Sequence, residues 1–176
     1  MSIRIIDNFL SDEEYSTLKE NMKSLRWEYS HNVTGEHGHT TKCEDKYDWQ
    51  MVHYFYLHPF NISDQYNIVN SIIQKINPIV LYRAKMNLNP VTSEHIEHGF
   101  HTDSYPVEHA KKFKTAVYYI NTNNGYTKFD NGEEVKSQAN RLVIFPGDML
   151  HTGSTCTDQK NRLVLNLMYL EGDPIA

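Results

Sequence analysis

The feature that most narrows the fold is the succession of short strand-like runs filling the chain from residue 79 to residue 170. Residues 79–88 read as one strand and 113–121 as another. Asn124-Gly125 is a hairpin signal leading into Tyr126-Thr127-Lys128-Phe129. Asn131-Gly132 makes a second tight turn into 133–136, Leu142-Val143-Ile144-Phe145 stops at the turn Pro146-Gly147, and 162–170 is the last strand. Many short strands divided by regular turn signals build a sandwich or a barrel, and a jelly roll is the natural closure.

The first third reads differently. Ile3-Arg4-Ile5-Ile6 is a short strand, followed by a capping box with Ser11 as N-cap and Glu14 three residues on. Tyr15, Leu18, Met22 and Leu25 then recur at helical spacing, which predicts a helix to about Ser24. A second helix is expected from near Ser63, with Tyr66, Val69, Ile72, Ile73 and Ile76 on one face, ending before Pro78. The aromatics Trp49, Tyr54, Phe55, Tyr56 and Phe60 are expected to pack helices onto the sheet. Between the helices, residues 30–48 are polar and turn-rich and carry His31, His37 and His39, as a loop that could close over a substrate does. The expected organisation is a single domain over 1–176, mostly β. A helical preamble (about 1–78) with an N-terminal strand and packing helices (α+β) precedes a jelly-roll core (about 79–171).

Composition excludes some functions. A net charge of −5 argues against a general nucleic-acid binder, which needs excess Lys and Arg against phosphates. No apolar run is long enough to span a bilayer. Arg4, Asp7 and Asn8 interrupt the opening residues, so no signal peptide or anchor is read there. Cys43 and Cys156 are read as free thiols, and the cytoplasm is the expected compartment.

The chemistry concentrates at His101-Thr102-Asp103. In extended backbone residues i and i+2 share a face, so one imidazole and one carboxylate can grip the same ion if the preceding stretch, 95–100, is a strand. His151 follows the Pro146-Gly147 turn, and Arg162 opens the last strand eleven residues later. Two histidines and one carboxylate occupy one face of an octahedral ion and leave the opposite face open, the pattern that suits non-haem Fe(II) oxygenases. Arg162 offers a planar fork for a carboxylate near such an ion. Strand parity puts Val164, Asn166 and Met168 on the same face as Arg162, with Asn166 the other polar group there.

The ordered block His101-Thr102-Asp103, 116–121, Gly125-Tyr126-Thr127-Lys128-Phe129, 142–145, His151 and Arg162 resembles the prolyl-4-hydroxylase-like branch of the 2-oxoglutarate/Fe(II)-dependent dioxygenases. Residues 5–10 resemble that family's opening. The resemblance implies a double-stranded β-helix (jelly roll, cupin-like). It also implies hydroxylation of a C–H bond using Fe(II), O2 and 2-oxoglutarate, with release of succinate and CO2. By position it makes His101, Asp103 and His151 the metal ligands. It puts Tyr119 in a hydrogen bond to 2-oxoglutarate and Arg162 on that co-substrate's distal carboxylate; Asn166 joins the same co-substrate group by parity. Two departures stand out: Gly125-Tyr126 replaces the common Gly-Gly, and on the strand before the iron motif a tyrosine that often helps hold the co-substrate is replaced by Asn87 or Asn89.

Rival readings have weaker support. His95, His98 and His101 would form a zinc face only on a helix, which Gly99 disfavours. His37 and His39 with Cys43 lack a fourth obvious ligand. A nucleobase demethylase would carry a second arginine where this chain has Met168. A cupin-like metal enzyme without 2-oxoglutarate, or a non-catalytic jelly-roll binding module, would share the fold. The primary substrate is expected to be a peptide or protein, with peptidyl proline first, or a small molecule.

Overall fold

The structure is a computed structural model that describes residues 2–34, 43–103 and 111–172. Among the described residues, eleven strands form two antiparallel sheets, accompanied by two α-helices. The strands are β1 (Arg4–Ile6), β2 (Glu28–Ser30), β3 (Gln50–Leu57), β4 (Asn61–Ile62), β5 (Val80–Pro90), β6 (Lys114–Tyr119), β7 (Tyr126–Phe129), β8 (Glu134–Lys136), β9 (Arg141–Pro146), β10 (His151–Gly153) and β11 (Asn161–Leu170). The helices are α1 (Asp12–Met22) and α2 (Asn70–Ile76). The major sheet runs β1-β9-β6-β11-β5-β3-β2, with β4 pairing β3, and the minor sheet runs β10-β7-β8. This is the mostly-β jelly roll expected from the turn pattern.

Strand parity splits the major sheet into two differently used faces. Ala84 and Met86 of β5, Ala116 and Tyr118 of β6, Leu142 and Ile144 of β9, and Leu165 and Leu167 of β11 pack against Leu18, Met22, Val69, Ile72 and Ile73 of the helical layer. The alternating residues Val117, Tyr119, Val143, Phe145 and Val164 meet Phe129 and Val135 of the minor sheet. Both faces are covered, which is why these strands read as nearly continuous apolar runs. Burying each large side chain of the helix-facing layer contributes about 1.5–3 kcal/mol relative to exposure.

The helices follow their sequence signals. Ser11 Oγ accepts from the Glu14 amide at 3.2 Å, and Glu14 Oε2 accepts from the Ser11 amide at 2.8 Å, closing the capping box. The second helical stretch begins as a 3-10 turn at Tyr66–Val69 rather than at Ser63, and α2 ends at Asn77, whose φ of 53° is left-handed.

Four expectations are corrected. First, β2 and β3 lie in the stretch expected to be helical and looped, so the major sheet draws strands from it as well as from β1 and from the region after residue 79. A register shift between Tyr54 and Tyr56 breaks the alternation that would have marked β3 as a strand. Second, Phe55 and Tyr56 of β3 pack against the helical layer as expected, but Tyr54 turns to the opposite face and Phe60 is exposed. Third, Asn124-Gly125 is not a two-strand hairpin: β6 belongs to the major sheet and β7 to the minor, so this turn carries the chain between sheets. Asn131-Gly132 does form its hairpin, with Gly132 at φ 87° joining β7 to β8. Fourth, residues 95–100 form no continuous strand, because Gly99 adopts φ 104° and only isolated bridges remain, Glu97 to Ser154 and His101 to His151.

Asn140 ties the N-terminal segment to this framework. It sits at φ 62° and is buried; Oδ1 accepts from the Leu10 amide and the Tyr118 hydroxyl, both at 2.8 Å, while Nδ2 donates to Leu10 O at 2.9 Å. Removing it leaves buried polar groups unmatched, each costing about 1–3 kcal/mol. Asn140→Ala should lower unfolding free energy by about 2–4 kcal/mol in urea titration. Asn140→Gly should lose the same hydrogen bonds yet be the milder change, because glycine accepts the left-handed backbone without strain. Equal stability of wild type and both variants would show that Asn140 does not anchor this segment.

Candidate metal and co-substrate site

Between the two sheets lies a cleft of about 630 Å³. Its major-sheet wall is made by the second face of each strand: Arg83, Lys85, Asn87 and Asn89 of β5, Arg162, Val164 and Asn166 of β11, and Gln50, Val52 and Tyr54 of β3. The facing wall holds Thr127, His151 and Gly153 with His98, His101 and Asp103. Glu28 to Thr34 form one lip.

His101 and His151 are opposite one another in a doubly hydrogen-bonded antiparallel bridge, with N–H to O distances of 2.9 and 3.0 Å. That pairing brings their rings to a centroid separation of 4.6 Å. Asp103, two residues past His101, falls on the same side, and one ligand atom from each of the three lies within 4.8 Å of the others. Each imidazole is oriented by a backbone carbonyl: His101 Nδ1 meets Gly99 O at 3.1 Å and His151 Nδ1 meets Met149 O at 3.1 Å. A carbonyl only accepts, so Nδ1 carries the proton and Nε2 presents its lone pair to the shared space. Burial, reinforced by His151, pushes the His101 imidazole down to about 3, so its lone pair stays available. The sequence-derived triad is thus assembled with the tautomers a metal requires.

Asp103 is fixed by a closed ring of charged hydrogen bonds. Arg83 Nη2 donates to Asp103 Oδ1 at 2.6 Å and to Asn166 Oδ1 at 2.7 Å, and Asn166 Nδ2 donates to Asp103 Oδ2 at 2.8 Å. Burial alone would raise this carboxyl, but Arg83, His151 and His101 outweigh it and hold Asp103 well below the usual carboxylate range. Oδ2 lies 3.4 Å from His151 Nε2 and is the oxygen turned to the triad's centre. With Oδ1 held by Arg83, the carboxylate offers one oxygen and leaves room for other ligands on an ion. Asn166, expected to touch the co-substrate, thus has Asp103 as its immediate partner; Arg83 was not anticipated in this role.

Arg162 sits further along β11, 3% exposed. Its Nε donates to Ser137 Oγ at 2.8 Å and its Nη2 to Thr127 Oγ1 at 3.1 Å; among the described residues no carboxylate forms an ion pair with it. Burial lowers the tendency of this guanidinium to stay charged, yet it faces the cleft without a protein anion. Gly125 and Gly153 make space for it: a Cβ at Gly125 would stand 2.8 Å from Arg162 Cδ, and one at Gly153 would stand 3.3 Å from Nη1. Having Tyr126 after Gly125, in place of a second glycine, is harmless to this packing, since Tyr126 donates to Glu97 Oε1 at 2.8 Å.

Tyr119 is fully buried and does not line the cleft; its hydroxyl donates to Thr127 Oγ1 at 2.8 Å, and its ring lies 5.5 Å from the Arg162 guanidinium carbon. Thr127 Oγ1 thereby accepts from both Tyr119 and Arg162, which leaves its own proton as a donor toward the cleft. Thr127 is a candidate site residue that sequence reasoning left inside a motif without a role. Asn87 Oδ1 and Asn89 Nδ2 have no hydrogen-bond partner among the described residues, and both line the cleft; Asn89 pairs in register with Arg162. His98 also faces the cleft, its Nδ1 bonded to Gly153 O at 3.1 Å, and burial pushes it down to about 4.

The histidines His37 and His39 and the centre of the expected lid lie outside the described residues. At its described base, Val33 N donates to Asp48 Oδ1 at 2.9 Å and Gln50 Nε2 donates to Val33 O at 3.2 Å. Both cysteines are free thiols. No helix among the described residues is long and apolar enough to cross a membrane.

No family model and no curated protein matches the chain. Solved structures do. A prolyl hydroxylase of Trichoplax adhaerens, in complex with a hypoxia-inducible-factor oxygen-degradation-domain peptide, is similar with a TM-score of 0.59 at 13% identity, over 96% of this chain and 83% of that one. The viral collagen prolyl hydroxylase of Paramecium Bursaria Chlorella virus-1, in its 2OG complex, has a TM-score of 0.54 at 15% identity over 98% and 97%. An oxidoreductase of the 2OG-Fe(II) oxygenase family from Burkholderia pseudomallei has a TM-score of 0.63 at 10% identity over 95% and 84%. The fold of this chain is the jelly roll of the 2OG-Fe(II) oxygenases.

If the Arg83–Asn166 ring orients Asp103, its loss should be felt at the metal. Asn166→Ala and Arg83→Met should each weaken Fe(II) affinity by about 10–100-fold, the usual effect of removing an outer partner of a metal ligand. His101→Ala, Asp103→Ala and His151→Ala should reduce it further while far-ultraviolet circular dichroism stays unchanged. Anaerobic metal titration of the purified variants measures both, and undiminished affinity across the triad variants would remove the assignment.

Proposed function

We propose that the chain is a non-haem Fe(II)- and 2-oxoglutarate-dependent oxygenase that hydroxylates a C–H bond, with His101, Asp103 and His151 as metal ligands. The observation that carries this reading is the buried Arg162 guanidinium, which has no carboxylate partner among the described residues and opens onto the same cleft as the triad. A buried cation without an anion is costly, so a ligand carboxylate there matches its charge.

An iron held there would, with O2 and 2-oxoglutarate, supply the oxidation and the decarboxylation to succinate and CO2, while the protein supplies orientation and exclusion of water. His101, His151 and Asp103 Oδ2 offer three ligand atoms on one side, which suits an ion whose other positions are left to small ligands. Arg162 Nη1 and the Thr127 hydroxyl would receive the distal carboxylate, with Asn89 opposite. Tyr119 acts on that end by holding Thr127, and Asn166 acts by holding Asp103.

A cupin-like metal enzyme without 2-oxoglutarate and a non-catalytic binding module give Arg162 no purpose, so they rank lower. Nucleic acid is disfavoured by the net charge of −5 and by Met168 at the place of a second arginine. The free cysteines suit a cytoplasmic setting. Peptidyl proline is a candidate substrate because two of the similar structures are prolyl hydroxylases, one holding a peptide. A small molecule is the other.

Arg162→Ala should weaken 2-oxoglutarate binding by at least about 30-fold, the lower bound of the 2–5 kcal/mol cost of truncating a buried charged pair, while Fe(II) affinity holds. Arg162→Lys should recover part of it, and Thr127→Val should weaken it less than Arg162→Ala. Anaerobic calorimetry with Fe(II) present reads all three, and an Arg162→Ala protein that binds 2-oxoglutarate like wild type would sink the proposal.

A second outcome needs no substrate. With Fe(II), O2 and a reductant, the protein should release succinate slowly from 2-oxoglutarate, and Asp103→Ala should not, because that change removes the anionic ligand. Liquid chromatography of succinate measures it. Failure of the wild type to bind 2-oxoglutarate anaerobically with Fe(II) present would return the choice to the metal-only or non-catalytic readings.

A further inference from the structure

The cleft holds a second cation for which the reading above has no use. Lys85 lies on β5, between β3 and β11, in register with Tyr54 on one side and Asn166 on the other. Its side chain is half-buried and lines the cleft beside the triad. Among the described residues its ammonium has no hydrogen-bond or ion-pair partner; its nearest aromatic neighbour is the Tyr54 ring, with Nζ 5.8 Å from the centroid. At that distance a cation–π attraction is at its outer limit and does not replace an anion.

The other charges in the cleft are accounted for. Arg83 and Asp103 neutralise one another at 2.6 Å. Glu28 is exposed at the lip, on β2, which is separated from β5 by β3. Arg162 is four residues from Asn166 along β11, about 13 Å at the usual strand rise of about 3.3 Å per residue. A five-carbon diacid reaching from the metal toward Arg162 therefore runs along β11 away from Lys85. Even with both its carboxylates in place, the iron, Arg162 and Lys85 leave the cleft with an excess of positive charge.

Resting on the proposed oxygenase reading, we propose that Lys85 is a substrate-binding residue and that the primary substrate is a small molecule whose carboxylate it holds beside the metal. A free amino acid or related acid would place its C–H bonds near the triad while its carboxylate meets Nζ. Tyr54 and Val52 of β3, and the lip from Glu28 to Thr34, would pack its remainder. A bound carboxylate would also relieve the cost of holding this half-buried ammonium on the same strand as Arg83. A peptide hydroxylated at an internal residue has no α-carboxylate to bring to this point, and the inference therefore separates the two substrate classes left open above.

The test uses the whole protein, anaerobic, loaded with Fe(II) and 2-oxoglutarate. The probes are the common free L-amino acids and N-acetyl-L-proline, each beside its carboxamide, and a proline-containing peptide with blocked ends. Heat of binding and the shift of the visible charge-transfer band are read, followed by stimulated succinate release in air. The expected result is that at least one acid binds and stimulates, that its amide does so at least about tenfold more weakly, and that Lys85→Met removes the preference while Lys85→Arg restores part of it. In Lys85→Met, 2-oxoglutarate should bind within about threefold of wild type, a smaller change than a lost charged contact produces. Binding of the blocked peptide but of no acid, equal response to acids and amides, no response to any probe, or a loss of 2-oxoglutarate affinity in Lys85→Met matching Arg162→Ala would each overturn it. These failures leave the oxygenase reading standing as long as the wild type binds Fe(II) and 2-oxoglutarate; if it does not, that reading has failed first.

Discussion

The major sheet is buried on both faces, and the two burials have opposite chemistry. One face is sealed by Leu18, Met22, Val69, Ile72 and Ile73 of the helical layer. The other lines the cleft with Arg83, Lys85, Asn87, Asn89, Arg162 and Asn166 on adjacent central strands. Placing that many polar groups out of bulk water costs free energy wherever a partner is missing. The apolar face offsets the cost, and the two cannot be exchanged, since a slip of one residue in register would drive Arg83 and Arg162 into the helices. The long β5–β11 ladder, running from Pro90 opposite Asn161 to Val80 opposite Leu170, fixes that register.

From this ladder follows the geometry at Asp103. Arg83 and Asn166 come from neighbouring strands, and their side chains converge because Met168 pairs with Arg83 and Asn166 with Lys85 across the same ladder. A carboxylate bound on both oxygens has little freedom left, so its approach to His151 Nε2 is set by the sheet and not by the short segment on which it sits. That segment needs the help. Gly99 interrupts its strand character. The histidines are secured differently, through their mutual backbone bridge and the carbonyls of Gly99 and Met149.

Legibility in the sequence follows the same division. Elements with local signals were readable: the capping box at Ser11, the Asn131-Gly132 hairpin, the parity that placed Arg162 and Asn166 together. The triad was readable because two of its members are two residues apart and the third follows a turn. β3 was missed because its bulge at Tyr54–Tyr56 disrupts alternation, and Asn124-Gly125 was misread because a turn signal does not say which sheet the next strand joins. Tyr119 could be placed in the right neighbourhood, but not the hydroxyl relay through Thr127, which depends on where two sheets meet. Arg83 and Lys85 looked like ordinary strand cations; their difference, one in an ion pair and one without an ion-pair partner among the described residues, exists only in three dimensions.

That contrast also shows how little net charge says about a ligand. The chain carries 22 acidic and 17 basic residues, and so repels polyanions at long range. Within a cleft walled by protein, fields are screened far less than at the surface, where salt limits their reach to about 8–10 Å. Arg162 and Lys85 therefore dominate what happens inside, and each acts separately because roughly four residues of strand divide them. An acidic exterior with two cationic points in one interior cleft would, on the proposed reading, select small anions that can enter over extended polyanions that cannot. The charge balance that disfavours nucleic acid at the surface is thus compatible with a site whose ligands are carboxylates.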